Sequence, residues 1–128
     1  IQTTDIVNSI LNLPVQSSDK LREQDIGAWR GKKRKDVMHG RDLDDPDYVR
    51  EGGESVHQMK RRVMEYIHAQ VEASPNEVIL FVAHDGLLHS ILSEVYDCAL
   101  RDSRCKTTQG SIYEFEFSGD SYTLSRVF

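Results

Sequence analysis

Residues 78–83, Val-Ile-Leu-Phe-Val-Ala, form an unbroken apolar run that delivers the chain to His84. A short run of this kind is the pattern of a strand buried on both faces, as in a parallel sheet covered by helices. Gly86 and an amphipathic segment over residues 87–96 follow at once. A strand that stops at a histidine and turns into a helix sets the imidazole beside free backbone N–H groups. That is a natural anion site outside the carboxyl end of a strand. Taken alone, His84 reads either as such a functional histidine or as a core or capping one.

The other segments fit around this unit. Ile1, Ile6, Val7, Ile10 and Leu11 recur at helical spacing, and Pro14 ends that pattern. Residues 15–23 read as a short strand or extended loop, and Gly27, Trp29 and Gly31 mark a turn. Residues 32–38 suggest a short helix, and residues 40–53, with Asp42, Asp44, Asp45, Pro46 and Asp47, a surface loop. Ser55 and Gln58 form a capping box, and Val56, Met59, Val63, Tyr66, Ile67 and Val71 then share one helical face. Pro75 and Asn76 end this longest helix. Leu87, Leu88, Ile91, Leu92 and Val95 line the next one. Residues 111–117 alternate, with Tyr113, Phe115 and Phe117 on one face. Ser118, Gly119 and Asp120 turn the chain, and residues 122–128 return as a hairpin partner. Helix, strand, helix and closing hairpin imply an α/β layered sheet.

Length and charge narrow the function classes. A chain of 128 residues is one domain at most. The net charge of -5 gives no general reason to expect a nucleic-acid partner. The basic run Arg30, Lys32, Lys33, Arg34, Lys35 therefore reads as a solvated helix face, or as cations guiding an anionic substrate. No apolar run approaches the roughly 18 residues of a membrane span, and no signal-like segment opens the chain, so a cytoplasmic protein without membrane contact is expected. Cys98 and Cys105 match no disulfide framework and no common zinc spacing, and read as reduced thiols. No metal or cofactor is expected. The chain opens at Ile1, directly in a helical pattern, which suggests a processed or truncated start.

Several residues carry chemistry as candidates. Glu23 lies four residues before the Gly27-Ala28-Trp29-Arg30-Gly31 turn. It is either a surface carboxylate or, beside a phosphate, a general acid, because like charge favours the protonated form of a carboxyl group. Glu54 and Ser55 read as a helix start, and Arg62 as a surface or helix-packing arginine. An Asp85 carboxylate aimed inward would repel phosphate; the favoured reading is that it caps the helix beginning near Leu87.

Taken together, Leu21-x-Glu23, Gly27-x-Trp29-x-Gly31, Gly53-Glu54-Ser55 with Arg62-Val63, and Val82-Ala83-His84-Asp85-Gly86 stand in the order and spacing of a known family. The set resembles the histidine phosphatase superfamily, in its phosphoglycerate mutase-like branch, over essentially the whole chain. The resemblance implies a three-layer α/β sandwich, a mostly parallel sheet flanked by helices with a C-terminal hairpin. Residues 1–128 would be the C-terminal part of that single domain, with the N-terminal strands missing. It implies a phosphatase that hydrolyses a small phosphomonoester through phosphohistidine. His84 matches the family's second histidine and Glu23 its proton donor. Gly86, Asp85, Trp29 and Arg30 are the expected substrate contacts. A phosphatase is favoured over a mutase because residues 40–53 form a short loop.

The family's nucleophile belongs to an Arg-His-Gly motif, which does not occur in this chain; Met38-His39-Gly40 is the nearest echo. The nucleophile is therefore expected upstream of Ile1. The expected partner is a small phosphorylated substrate or inorganic phosphate, with a homo-oligomer or a separate N-terminal segment left open. The alternative is a catalytically dead remnant that serves as a phosphate-binding or protein-interaction module.

Overall fold

Ser55 and Gln58 lock the start of the longest helix. The Gln58 N–H donates to Ser55 Oγ at 3.0 Å and the Ser55 N–H to Gln58 Oε1 at 2.8 Å, which satisfies two N–H groups that the first turn leaves unpaired. The computed structural model describes residues 2–37, 45–49, 51–99, 102–119 and 121–128. Its helices are α1 (Gln2–Leu11), α2 (Arg34–Val37), α3 (Val56–Ala73) and α4 (Asp85–Val95). Single 3-10 turns stand at Asp19–Leu21, Gly27–Trp29 and Ser103–Cys105. Strands β1 (Tyr113–Ser118) and β2 (Ser121–Val127) close the chain as an antiparallel hairpin.

Helix α1 ends where Pro14 predicts. Asn12 takes φ of +50°, and the Asn8 side chain both donates to Leu13 O and accepts the Leu13 N–H. Residues 15–18 carry no regular secondary structure and lead, through an extended Ser18, into the 3-10 turn at Asp19–Leu21. Met38, Asp120 and residues 40–44 of the expected loop lie outside the described residues.

The α3 face read from the sequence is the core. Met59, Val63 and Ile67 are buried together with Leu87 of α4, and Leu21, Val71, Phe81, Ile91 and Phe117 pack around them. Burying such side chains contributes about 1.5–3 kcal/mol each. Helix α4 and the 3-10 turn at Asp19–Leu21 both pack against α3 at this cluster. The hairpin alternates as expected: Tyr113, Phe115 and Phe117 turn inward and Glu114 and Glu116 outward. Its register shifts between Glu114 and Phe115, which leaves Ser125 between the paired Arg126 and Leu124, and the Ser125 hydroxyl donates to Glu114 O at 3.0 Å.

The run at residues 78–83 departs from its expected burial. It carries no regular secondary structure, so the expected strand is not formed, and among the described residues the only sheet is the hairpin. Phe81 packs on the core, whereas Val78 is fully exposed and Leu80 is 49% exposed. A parallel strand is buried only when neighbouring strands and helix layers cover it, and among the described residues no strand pairs with this run.

Candidate functional site

The start of α4 brings two distant sequence features together. His84 is the N-cap residue, in extended conformation, and its carbonyl accepts the Leu87 and Leu88 N–H groups at 3.2 and 3.3 Å. Two residues on, the Gly86 N–H donates to Glu23 Oε2 at 3.2 Å, across 63 residues of sequence. The other Glu23 oxygen accepts the Gln24 N–H at 2.8 Å. A Cβ at position 86 would collide with the Glu23 carboxylate, so glycine is what lets that carboxylate reach the helix end. A helix N-terminus favours negative charge, and here Glu23 supplies it.

A second set of residues holds Glu23 in place. Arg62, one face along α3, makes a two-pronged pair with Glu54: Nε to Oε2 at 3.1 Å and Nη2 to Oε1 at 2.6 Å. The same guanidinium donates to Lys20 O at 2.7 Å and Arg22 O at 3.0 Å. Glu54 accepts the Asp25 N–H at 3.0 Å, its own N–H donates to Asp25 O at 2.9 Å, and its carbonyl accepts the Gln24 side-chain amide at 3.0 Å. The backbone on both sides of Glu23 is thus strapped to α3. The Arg62 and Glu54 side chains are only 15% and 17% exposed. Burial acts to raise the Glu54 pKa, but the bonds from Arg62 and the Asp25 N–H outweigh it and hold the carboxyl below its ordinary value.

Arg62 is therefore no plain surface or helix-packing residue, and Glu54 does more than open a helix. Glu54 precedes the N-cap Ser55 and so lies outside α3, and no helical spacing in the sequence ties it to Arg62.

The strapped segment also meets the loop before α3 backbone to backbone. The Ala28 N–H donates to Glu51 O at 2.8 Å. A Cβ on Gly27 would sit 2.6 Å from the Gly53 nitrogen, so the pair of glycines permits this contact; Gly27 also has φ of +50°. Beside it lies an open cleft of about 560 Å³ lined by Asp25, Gly27, Ala28, Arg30, Glu51 and Gly52. Arg30 donates to Asp25 Oδ1 at 3.1 Å. The Gly27 N–H is the largest influence on the Asp25 carboxyl; burial opposes it, and with the help of Arg30 and Arg22 the carboxyl is held below its ordinary value. Trp29 packs tilted against Tyr48, ring centroids 6.5 Å apart. Among the described residues the ion pair of Arg30 runs to Asp25.

Asp85 does not cap α4. It is the first residue inside the helix, and His84 is the cap. The helix begins two residues earlier than the apolar pattern at Leu87 suggests, because the Asp85 carboxylate has a tertiary partner in place of the helix N–H groups. It accepts from the Thr107 hydroxyl and lies 3.5 Å from His89 Nε2, which is itself 3.2 Å from Thr107 Oγ1. A carboxylate in the first turn still complements the helix dipole. Thr107 and His89 carry no motif and were not legible as part of this end. Among the described residues no three His, Cys, Asp or Glu side chains converge as a metal site, and no helix is long and apolar enough to cross a membrane.

Comparison with known proteins follows the same outline. The family model for the histidine phosphatase superfamily (branch 1) matches residues 1–128. The chain is 29% identical over 94 residues to the uncharacterized phosphatase PhoE of Bacillus subtilis (strain 168), covering 73% of this chain and 47% of that protein. It thus spans about half the length of that curated relative. The solved structure of Bacillus stearothermophilus YhfR superposes with a TM-score of 0.81 at 23% identity, covering 97% of this chain and 66% of that one. A mycobacterial glucosyl-3-phosphoglycerate phosphatase in complex with VO3 superposes with a TM-score of 0.71 at 18% identity, covering 98% and 68%. At these identities the structures establish the fold alone, an α/β fold shared with those proteins.

Proposed function

Because the chain belongs to the histidine phosphatase superfamily, branch 1, we propose that it is the C-terminal part of a phosphatase that hydrolyses a small phosphomonoester. The observation that carries this reading is the Glu23 carboxylate lying on the Gly86 N–H, two residues from His84. In this reading a histidine of an upstream Arg-His-Gly segment attacks phosphorus and becomes phosphohistidine. Glu23 gives its proton to the leaving oxygen, then takes one from the water that hydrolyses the intermediate. His84 stabilises the phosphoryl oxygens as charge spreads over them, while the Gly86 N–H holds Glu23 beside it. Asp85 contributes through its backbone, its carboxylate being turned to Thr107 and His89. In this reading Trp29 and Arg30 are the outer substrate contacts, Arg30 being part of the lining of the cleft beside Asp25.

The same reading accounts for uncovered apolar surface. Val78 and Leu80 on the apolar run, and Ile6 and Ile10 on α1, are exposed. Upstream strands that complete a mostly parallel, three-layer sandwich would cover them and give residues 78–83 the neighbours their pattern asks for. The test is turnover of p-nitrophenyl phosphate by the full natural protein, with alkaline quenching to trap phosphohistidine and acid treatment of a parallel sample to release it. Turnover with an acid-labile phosphoenzyme is expected. Absence of both overturns the proposal.

A further inference from the structure

Cys98 and Cys105 are seven residues apart in sequence, and their sulfurs are 3.3 Å apart. Each sits in a frame of its own. Helix α4 ends in a left-handed residue, Asp97 with φ of +44°, after which the Cys98 N–H donates to Ser93 O at 3.0 Å. Cys105 ends the Ser103–Cys105 turn, which Asp102 caps by accepting the Arg104 N–H at 2.9 Å. Arg104 grips the same carboxylate through Nε and Nη2, both at 2.9 Å, and lies 5.9 Å over the Tyr96 ring. That ties the turn to the end of α4. The Cys105 residue is buried, whereas Cys98 is partly exposed.

We propose that Cys98 and Cys105 form a reversible disulfide under peroxide, with Cys98 attacking the oxidant and Cys105 resolving the product. A disulfide needs the sulfurs about 2.05 Å apart, so they close by roughly 1.3 Å from the present 3.3 Å, within reach of side-chain rotation. In the first step the Cys98 thiolate takes the terminal oxygen of hydrogen peroxide, the O–O bond breaks, and hydroxide leaves. In the second, Cys105 gives its proton to that hydroxide and attacks the Cys98 sulfenic sulfur. The S–O bond breaks, and the departing hydroxide takes up the proton that Cys98 had shed. Two thiols and one peroxide become one disulfide and two waters, sulfur being oxidised and peroxide oxygen reduced. Exposure sets the order: peroxide reaches Cys98, and burial, followed by the bond to Cys98, pushes the Cys105 thiol up to about 11.

The covalent step is independent of the phosphatase reading. It has a structural consequence nonetheless, since Thr107, two residues beyond Cys105, holds the Asp85 carboxylate at the start of α4.

The full natural chain is treated with hydrogen peroxide, alkylated with iodoacetamide, and mapped by mass spectrometry. The peptides carrying Cys98 and Cys105 are expected to be joined, lighter by two hydrogens, and separated again by dithiothreitol. In C105S, dimedone is expected to label Cys98 as the sulfenic acid; in C98S, Cys105 is expected to resist both peroxide and dimedone. Separate alkylation of both cysteines in the treated wild type overturns the proposal, and that reading needs no variant to fold. Equal dimedone labelling of Cys105 in C98S overturns the assigned order.

Discussion

Substituting Gly86→Ala isolates the contact between Glu23 and the start of α4. The new methyl group collides with the end of a flexible carboxylate, so the side chain swings away and the backbone stays. Two terms of opposite sign follow. The bond from the Gly86 N–H, 3.2 Å long and partly buried, is lost at a cost of about 1.5 kcal/mol, the lower end for a charged acceptor. Alanine in place of glycine gains up to about 1 kcal/mol in a helix interior and about 0.5 kcal/mol this near the end. Gly86→Ala in the wild type should therefore destabilise by about 1 kcal/mol. In a Glu23→Ala background only the propensity gain remains, and the same change should stabilise by about 0.5 kcal/mol. Urea unfolding of the four proteins measures the difference, an interaction of about 1.5 kcal/mol. An equal effect of Gly86→Ala in both backgrounds would refute the contact. On the phosphatase reading, Gly86→Ala should also lower kcat by about a hundredfold, the lower end for loss of a positioned acid.

Arg62→Ala should cost about 3 kcal/mol in the same assay, because it strands the partly buried Glu54 carboxylate and frees the carbonyls of Lys20 and Arg22. A loss below about 0.5 kcal/mol would place Arg62 on the surface after all. Stability should fall with acid in a Glu54-dependent way. The folded-state pKa lies below the 4.5 of a free glutamate, so this contribution is present above pH 4.5 and is lost as pH drops through the folded value. Glu54→Gln should reduce the slope of that part of the profile, seen as a weaker fall of the urea midpoint with acid than in the wild type. Leu87→Ala, emptying a site 1% exposed in the core, should cost about 3 kcal/mol and lower the melting temperature by roughly 10 °C or more.

What the sequence disclosed depended on whether the determining partner was local. The α3 capping box is a three-residue signal, and it formed as written. The face of Met59, Val63 and Ile67 is a periodicity within one helix, and it is the core. The alternation of Tyr113, Phe115 and Phe117 likewise marks the inward side of β1, although the one-residue shift opposite Ser125 has no sequence mark. The bond from Gly86 to Glu23 could be anticipated only as two motifs of one resemblance, since nothing within either segment points to the other. Arg62 was misread for the same reason: its acceptors are the carbonyls of a segment about 40 residues away, and backbone carbonyls leave no trace in a sequence. Asp85 was assigned to a cap because aspartate is a good one. Its actual partner is Thr107, 22 residues on.

Residues 78–83 show what a hydrophobic pattern does and does not specify. The run demands cover on both faces, and the described fold supplies it on one, at Phe81, which packs on the α3 core. The side toward Val78 and Leu80 is open. A segment with open ladder groups is an unsatisfied edge, costly if buried and sticky if exposed. Yet His84 at its end is held in an extended N-cap conformation by α4, whose carbonyl–N–H bonds to Leu87 and Leu88 begin there. The end of the run and the helix start are therefore positioned from the helical side, through Leu87 on the core and Glu23 on Gly86, and do not wait for sheet neighbours. The phosphate-facing half of such a site can be built by α3, α4 and the segment strapped between them. On the phosphatase reading, strands on the open side would bring a nucleophile to His84 and Glu23, whose backbones are already held by α4 and by the Gly86 N–H.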